Sequence, residues 1–302
     1  MSSETDKARA VIAPAKINLY LHVTGRRADG YHTLDSLVAF AGINDVLSVR
    51  PAAELTLELT GPFAEDIPAA GDNLVLMAAR ALREQAGIND GAALKLTKRL
   101  PVAGGIGGGS ADAAATLRAL NGLWGLGLAD TELLALGLKL GADVPVCLRG
   151  RAAFMGGIGE NLVPAPVLPR AWVVLVNPGR ALSTPAVFEM RRQMMGDDFS
   201  APAGFNYAPQ DAAELAAVLA KRRNDLEAAA VALVPAVGEV LAALNETAGS
   251  LLARMSGSGA TCFGIMATAE AAATAALALA GGHPDWWVKA ASLKGDTVRA
   301  AN

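Results

Sequence analysis

At 302 residues, 52% of them hydrophobic and 18% charged, the chain reads as compact and globular, long enough to favour two domains over one core. A net charge of −3 excludes a broad basic face for DNA or RNA. Two cysteines, Cys147 and Cys262, cannot build a disulfide framework. The first residues lack the apolar stretch of a secretory signal, and the alanine-rich run 267–280 is too short and weakly apolar to span a bilayer, so the expectation is a soluble cytoplasmic protein.

Ile17, Leu19, Leu21 and Val23 alternate with Lys16, Asn18, Tyr20 and His22, which predicts a strand over 15–25. Lys16 and Asn18 would then share its non-core face. Next, Gly30-Tyr31-His32-Thr33 sets an aromatic beside an imidazole in a loop. Such a pair can stack on and hydrogen-bond a planar base, or simply pack partly buried. Strands are predicted over 45–50, 54–60 and 93–97, with a helix over 72–85 capped by Asp72 or Asn73.

The strand over 93–97 feeds the run Pro101-Val-Ala-Gly-Gly-Ile-Gly-Gly-Gly-Ser-Ala-Asp-Ala-Ala114, with glycines at 104, 105, 107, 108 and 109. A helix follows, its face marked by Ala113, Leu117, Leu120 and Trp124, with Ser110 as the expected N-cap and an end near Asn121-Gly122. Glycines before a helix start allow a tight backbone whose N–H groups, at the positive end of the helix dipole, suit phosphate oxygens. The run therefore reads as a polyphosphate cradle rather than a ligand-free turn. It is neither a Walker A loop, which needs a lysine after the last glycine, nor a dinucleotide fingerprint.

A helix is predicted over 130–140, closed by Gly141. Asp143, in Gly141-Ala-Asp-Val-Pro145, either caps a turn or, facing the cradle, takes a proton from an attacking alcohol; a nearby Lys16 would keep it ionised. After a short strand over 152–155 the pattern breaks between 156 and 170, where Pro164, Pro166 and Pro169 mark a candidate domain boundary. Strands over 171–177, 251–255, 261–266 and 286–291 and helices over 184–195, 211–221, 225–245 and 268–280 complete the chain, with a loop at 196–210. Met255-Ser-Gly-Ser-Gly-Ala-Thr261 is either a plain hairpin connection or a turn lying against substrate or phosphates. Helices and strands mix without regular βαβ alternation, which favours α+β over a doubly wound sheet.

Pro14-Ala-Lys-Ile-Asn18, the run Pro101–Ala114 and Ser256-Gly-Ser-Gly-Ala-Thr261 resemble, in this order, the three motifs of the GHMP kinases, the superfamily of galactokinase, homoserine kinase, mevalonate kinase and phosphomevalonate kinase. Gly25-Arg-Arg-Ala-Asp-Gly-Tyr-His-Thr33, Leu140-Gly-Ala-Asp-Val-Pro-Val146 and Asn224-Asp-Leu-Glu227 narrow the resemblance to the branch acting on an alcohol linked to cytidine diphosphate. It implies ATP-dependent phosphorylation of the 2-hydroxyl of a methylerythritol moiety, in the non-mevalonate route to isoprenoids. It further implies a two-domain α+β GHMP kinase fold, with an N-terminal ATP-binding domain over 1–160, a C-terminal domain over 161–302 and the active site in the cleft between.

By the same resemblance Asp143 is the general base and Lys16 its charge partner. Pro101, Val102, Ala103, Gly104, Gly105, Ile106, Gly107, Gly108, Gly109, Ser110 and Ala111 would hold ATP. Asn18, Tyr31, His32, Thr184, Pro185 and Phe188 would bind the cytidine diphosphate substrate, with Tyr31 and Phe188 sandwiching cytosine. Mg2+ accompanies the nucleotide, with Ser110 as its candidate ligand and no fuller ligand set assigned. The implied partners are small molecules, with no nucleic acid and no membrane, on a monomer or weak homodimer. Two positions depart from the pattern. Asp112 follows Ser110-Ala111 where a Ser-Asn pair is found, although Ala-Asp also occurs in the family, and it would repel phosphates unless it points away or touches magnesium. Val38 stands where an aromatic can line the substrate pocket. The rivals are a GHMP-type kinase of homoserine or mevalonate and a non-catalytic nucleotide- or RNA-binding protein. The Gly-Tyr-His segment favours a base-bearing substrate, and the presence of both Lys16 and Asp143 favours catalysis.

Overall fold

Residues 9–67 and 73–297 are described by the computed structural model, so the candidate cap Asp72 lies outside the described residues. In chain order the elements are β1 (Arg9–Arg26), β2 (His32–Ala52), β3 (Leu55–Thr60), α1 (Leu74–Ala86), β4 (Gly91–Thr97), α2 (Gly108–Leu123), α3 (Asp130–Leu140), α4 (Val144–Arg149), β5 (Ala153–Gly157) and β6 (Asn161–Pro164). They continue with β7 (Ala171–Asn177), α5 (Thr184–Met195), α6 (Ala212–Ala220), α7 (Glu227–Leu233), α8 (Ala236–Glu246), β8 (Ser250–Met255), β9 (Cys262–Met266), α9 (Ala269–Gly282) and β10 (Trp287–Lys294). The fold class is α+β: β3 and β4 pair in parallel, and the other registered strand pairs are antiparallel.

Two compact units make up the chain, each drawn from separate stretches. The first takes the described residues of Met1–Ala15 with Ile43–Val102 and Gly107–Arg149. There the second half of β2 pairs with β4, Val46 opposite Thr97 through Ala52 opposite Gly91, and β3 extends the sheet from Leu55 opposite Ala92. The alternating Leu47, Val49, Leu94 and Leu96 send their side chains into a core shared with Val75, Ala79 and Leu82 of α1 and Leu117 and Leu120 of α2. Asn73 caps α1 by accepting the Val75 N–H at 2.8 Å.

The second unit takes Lys16–Gly42, Ala103–Ile106 and the described residues of Gly150–Asn302. Its sheet runs β8, β9, β7, β10, with Val173 opposite Ile265 and Ala291 opposite Val173, and with Leu293 of β10 opposite Ala41 of β2. Leu34–Val38 of β2 pairs with β5, and β5 with β6. Val174, Val176, Val187, Leu226, Val240, Leu244 and Leu279 form its core.

The structure corrects several expectations. The first strand runs from Arg9 to Arg26 and is buried on both faces: Lys16, Asn18, Tyr20 and His22 are as hidden as the aliphatic set. Cover for the polar-looking face comes from the chain around Ala201 and Ala203, where His22 Nδ1 lies 3.1 Å from the Ala201 carbonyl and the Arg222 guanidinium stands over the Tyr20 ring. The Tyr20 hydroxyl donates to Asp35, which also accepts the Ala203 N–H. His32 and Thr33 open β2 instead of lying in a loop. The proline-rich break holds β6, paired with β5. The single helix expected over 225–245 is two, interrupted at Val234-Pro235, because proline lacks the N–H a continuing helix needs and forces Val234 into an extended conformation. The short helix α4 follows Asp143.

Candidate functional site

In the first unit, Gly107 and not Ser110 is the N-cap of α2. Gly107 has φ of 62°, a left-handed conformation that glycine takes without strain, so the helix begins at Gly108 and Ser110 lies in its first turn. The first intrahelical bond runs from the Ala111 N–H to the Gly107 carbonyl at 2.8 Å, which leaves the N–H groups of Gly108, Gly109 and Ser110 without an intrahelical acceptor. These are the donors a phosphate needs, at the positive end of a sixteen-residue dipole. Ala111 is buried, Gly109 exposed and Ser110 half-buried.

Asp112 does not face outward among those donors. Its side chain is buried, and its Oδ2 accepts from Lys98 Nζ at 2.8 Å; Lys98 also donates to Asp45. Burial and the Asp45 charge push the Asp112 carboxyl up to about 7, against the pull of Lys98, while the two carboxylates hold Lys98 above its usual value despite burial. Reasoning from sequence left both Lys98 and Asp45 out. Lys98 directly follows the strand over 93–97 but stands between Thr97 and Arg99, and no local pattern separates it from a solvated lysine. Asp143, half-buried, precedes α4, and its carbonyl accepts the Cys147 N–H at 3.2 Å.

In the second unit, the stretch Ala103–Ile106 is pinned by its carbonyls. Gly104 accepts the Thr261 N–H at 3.0 Å, Gly105 accepts the Ser256 hydroxyl at 3.0 Å, and Ile106 accepts the Lys16 N–H at 2.9 Å. In a trans peptide the carbonyl and the next N–H point opposite ways, so the N–H groups of Gly105, Ile106 and Gly107 turn away from these partners. Gly105 has φ of 73°, and a Cβ there would stand 2.7 Å from the Gly259 nitrogen. The turn Met255–Thr261 is thus a β8–β9 hairpin connection that also carries the glycine stretch. It is itself anchored by Asn224, whose amide donates to the carbonyls of Met255 and Gly257, each at 2.8 Å, and by Glu227, which accepts the Met255 N–H at 3.0 Å.

Lys16 and Asn18 meet: Lys16 Nζ donates to Asn18 Oδ1 at 2.8 Å. The Asn18 amide donates to Ser36 at 2.8 Å, and its N–H to the Ser256 hydroxyl at 3.1 Å. Asn18 therefore sets the direction of the lysine side chain from inside the unit. Elsewhere in it, His32 and not Tyr31 stacks on Phe188, while Tyr31 is 62% exposed. Burial first, then Arg26 and Arg191, holds the His32 imidazole below its usual pKa. Thr184 and Pro185 open α5 at the exposed surface, Pro185 in the first turn where its missing N–H costs nothing, and the Thr184 hydroxyl lies 2.7 Å from that of Ser258. Val38 is fully buried in β2 opposite Ala153.

The nucleotide implied by the motifs fits what is present: amides without an intrahelical acceptor at a helix start, preceded by glycines packed tightly against the protein behind them. For Mg2+, no group of three or more His, Cys, Asp or Glu stands together among the described residues. The half-buried Ser110 hydroxyl in the first turn of α2 is an oxygen of the kind that Mg2+ takes. No helix among the described residues is long and apolar enough to cross a membrane. Among the described residues, Cys147 and Cys262 are not joined in a disulfide.

Comparison with known proteins agrees. The family model for the GHMP kinases N terminal domain matches residues 73–151, and that for the GHMP kinases C terminal matches residues 208–284. A 4-diphosphocytidyl-2-C-methyl-D-erythritol kinase of Paramagnetospirillum magneticum is 56% identical over 284 residues, which cover 94% of this chain and 98% of the relative. One from Rhodospirillum rubrum is 53% identical over 95% of this chain and 93% of the relative. A crystal structure of 4-(cytidine 5'-diphospho)-2C-methyl-D-erythritol kinase superposes with a TM-score of 0.77 at 36% identity, covering 95% of this chain and all of that one. Homoserine kinase from Cytophaga hutchinsonii, at 19% identity and a TM-score of 0.71 over 98% of both chains, shares the fold. The chain belongs to the GHMP kinase family of ATP-dependent phosphotransferases.

Proposed function

We propose that this chain phosphorylates the 2-hydroxyl of 4-diphosphocytidyl-2-C-methyl-D-erythritol with ATP, a step of isoprenoid precursor synthesis by the methylerythritol phosphate pathway. The observation that carries this reading is near-full-length identity above 50% to relatives of that name. The aromatic pair His32 and Phe188 beside an exposed Tyr31 supports a substrate that bears a base.

Phosphoryl transfer asks a protein for position and charge more than for covalent chemistry. In our reading the amides from Gly105 to Ser110 hold the nucleotide phosphates. Asp143 accepts the proton of the 2-hydroxyl as its oxygen bonds to the γ-phosphorus, while the bond from that phosphorus to the β–γ bridging oxygen breaks and ADP leaves. Lys16, aimed by Asn18, offsets the negative charge that develops. Ser110 would hold Mg2+, which when bound would neutralise phosphate charge. Asn18, Tyr31, His32, Thr184, Pro185 and Phe188 bind the cytidine diphosphate portion, Tyr31 and Phe188 on the cytosine faces. The test is to incubate the purified chain with ATP and Mg2+, offer the cytidine-linked alcohol, homoserine and mevalonate separately, and follow ADP release. Turnover with the first alone is expected; comparable turnover with either of the others would overturn the substrate assignment.

A further inference from the structure

The glycine-rich run has two ends in the first unit, and one ammonium holds both. Lys98, two residues before Leu100, donates to Asp112 Oδ2 at 2.8 Å and to Asp45 Oδ2, and all three side chains are at most 4% exposed. Asp45 Oδ1 in turn accepts the N–H groups of Arg99 at 2.5 Å and Leu100 at 2.9 Å, which fixes the backbone entering the run. Asp112 lies in α2 just past its first turn, so it fixes the backbone leaving the run. The fit against the helix is close: a Cβ at Gly108 would stand 2.9 Å from Lys98 Nζ and 3.8 Å from Asp45 Oδ2. Glycine at 108 is thus the residue that lets the ammonium lie under the first turn. The cluster carries two carboxylates for one cation, and Asp112 Oδ1 is buried without a hydrogen-bond partner. Burying such charge is more costly than filling the same space with apolar side chains, so stability alone does not account for it.

We propose that Lys98 and Asp112 are positioning residues for the phosphoryl donor. The Asp45–Lys98–Asp112 bridge holds the start of α2 against the entering backbone, so that the amides of Gly108, Gly109 and Ser110 keep the orientation the nucleotide phosphates require. This rests on the reading that the start of α2 holds those phosphates. Binding of the nucleotide then depends on the bridge being hydrogen-bonded, and not on the negative charge of Asp112.

Two variants separate these roles. Asp112→Ala leaves Lys98 and Asp45 as a one-to-one pair, so the fold persists while the helix loses its tie. Asp112→Asn keeps an oxygen for Lys98 without the charge. ADP affinity in the presence of Mg2+, KM for ATP and for the alcohol, and melting temperature are measured for each. Loss of fixed geometry predicts that Asp112→Ala weakens ADP by about tenfold or more and leaves the alcohol KM within about threefold, whereas Asp112→Asn returns ADP affinity to within about threefold of the parent. Lys98→Met shifts ADP affinity in the same direction as Asp112→Ala. Unchanged or tighter ADP binding in Asp112→Ala overturns the proposal, as does equal weakening by Ala and Asn. Parallel losses for ADP and alcohol, following the melting temperature, overturn it as well. Hydrogen exchange at Gly108–Ser110 on addition of ADP tells the failures apart. Absence of protection in the parent chain removes the phosphate site and this inference together. Protection with an unaltered affinity in Asp112→Ala removes this inference alone.

Discussion

His32 stacks on Phe188, with ring centroids 4.8 Å apart and planes 19° from parallel. The first residue of β2 and the fifth of α5 thereby make a stacked aromatic patch, and the exposed Tyr31 is next to His32 in the chain. If a cytosine uses that surface, Phe188→Ala and Tyr31→Ala should each raise the KM of the cytidine-linked alcohol about tenfold, since base–aromatic stacking is worth ~1–3 kcal/mol. The KM of ATP should hardly move. Equal changes in both constants would speak against a base on these rings.

His32 also gives the site a pH dependence. Its folded pKa lies below the ordinary value because burial, Arg26 and Arg191 disfavour the charged ring. The unfolded chain therefore binds the proton first as pH falls below about 6.5, and stability drops from there until the folded ring also protonates. Above about 6.5 both forms are neutral and the contribution is flat. Melting curves from pH 5 to 8 should show a smaller acid-side loss for His32→Gln than for the parent chain. Superimposable losses would exclude His32 as the source.

Asp143→Asn should lower turnover by at least ~100-fold, the low end of general-base contributions, with ADP affinity in the parent range. Lys16→Met should lower turnover too, because the charge on the transferring group is left uncompensated. Single-turnover rates and ADP titrations check both. A variant of Asp143 with near-parent turnover would take that residue out of the reaction.

Gly105→Ala tests the support beneath the phosphate loop. At φ of 73° any side chain is strained, and a Cβ would press on the Ser256 carbonyl and stand 2.7 Å from the Gly259 nitrogen. We expect a loss of more than ~1 kcal/mol from the strained backbone alone, together with a weaker grip on ATP as the hairpin connection gives way. Chemical denaturation and the KM of ATP measure the two effects. Parent stability with parent ATP binding would mean that the stretch is free to move aside.

Local physics made much of this protein legible in its sequence. The helix over 130–140 and the strand over 171–177 have the bounds expected of them, because a helical repeat and an unbroken apolar run are set by near neighbours. The glycine run and the existence of a helix after it are legible too, since the missing side chains and the apolar repeat are both written in the chain, but the helix starts three residues before the point that a Ser110 cap implies. Its motifs likewise determined the family.

Tertiary structure decided what depends on residues far apart in sequence. Tyr20 and His22 look like part of a solvated polar strand face, and only the chain near Ala201 and Ala203 makes their end of it an interior one. Asp112 looks like a carboxylate among phosphate donors, and only Lys98 and Asp45, 14 and 67 residues away by their numbers, turn it inward. Alternation and helical period report which side of an element a residue takes. Whether that side meets water or protein is settled by what packs against it, and no local pattern encodes that.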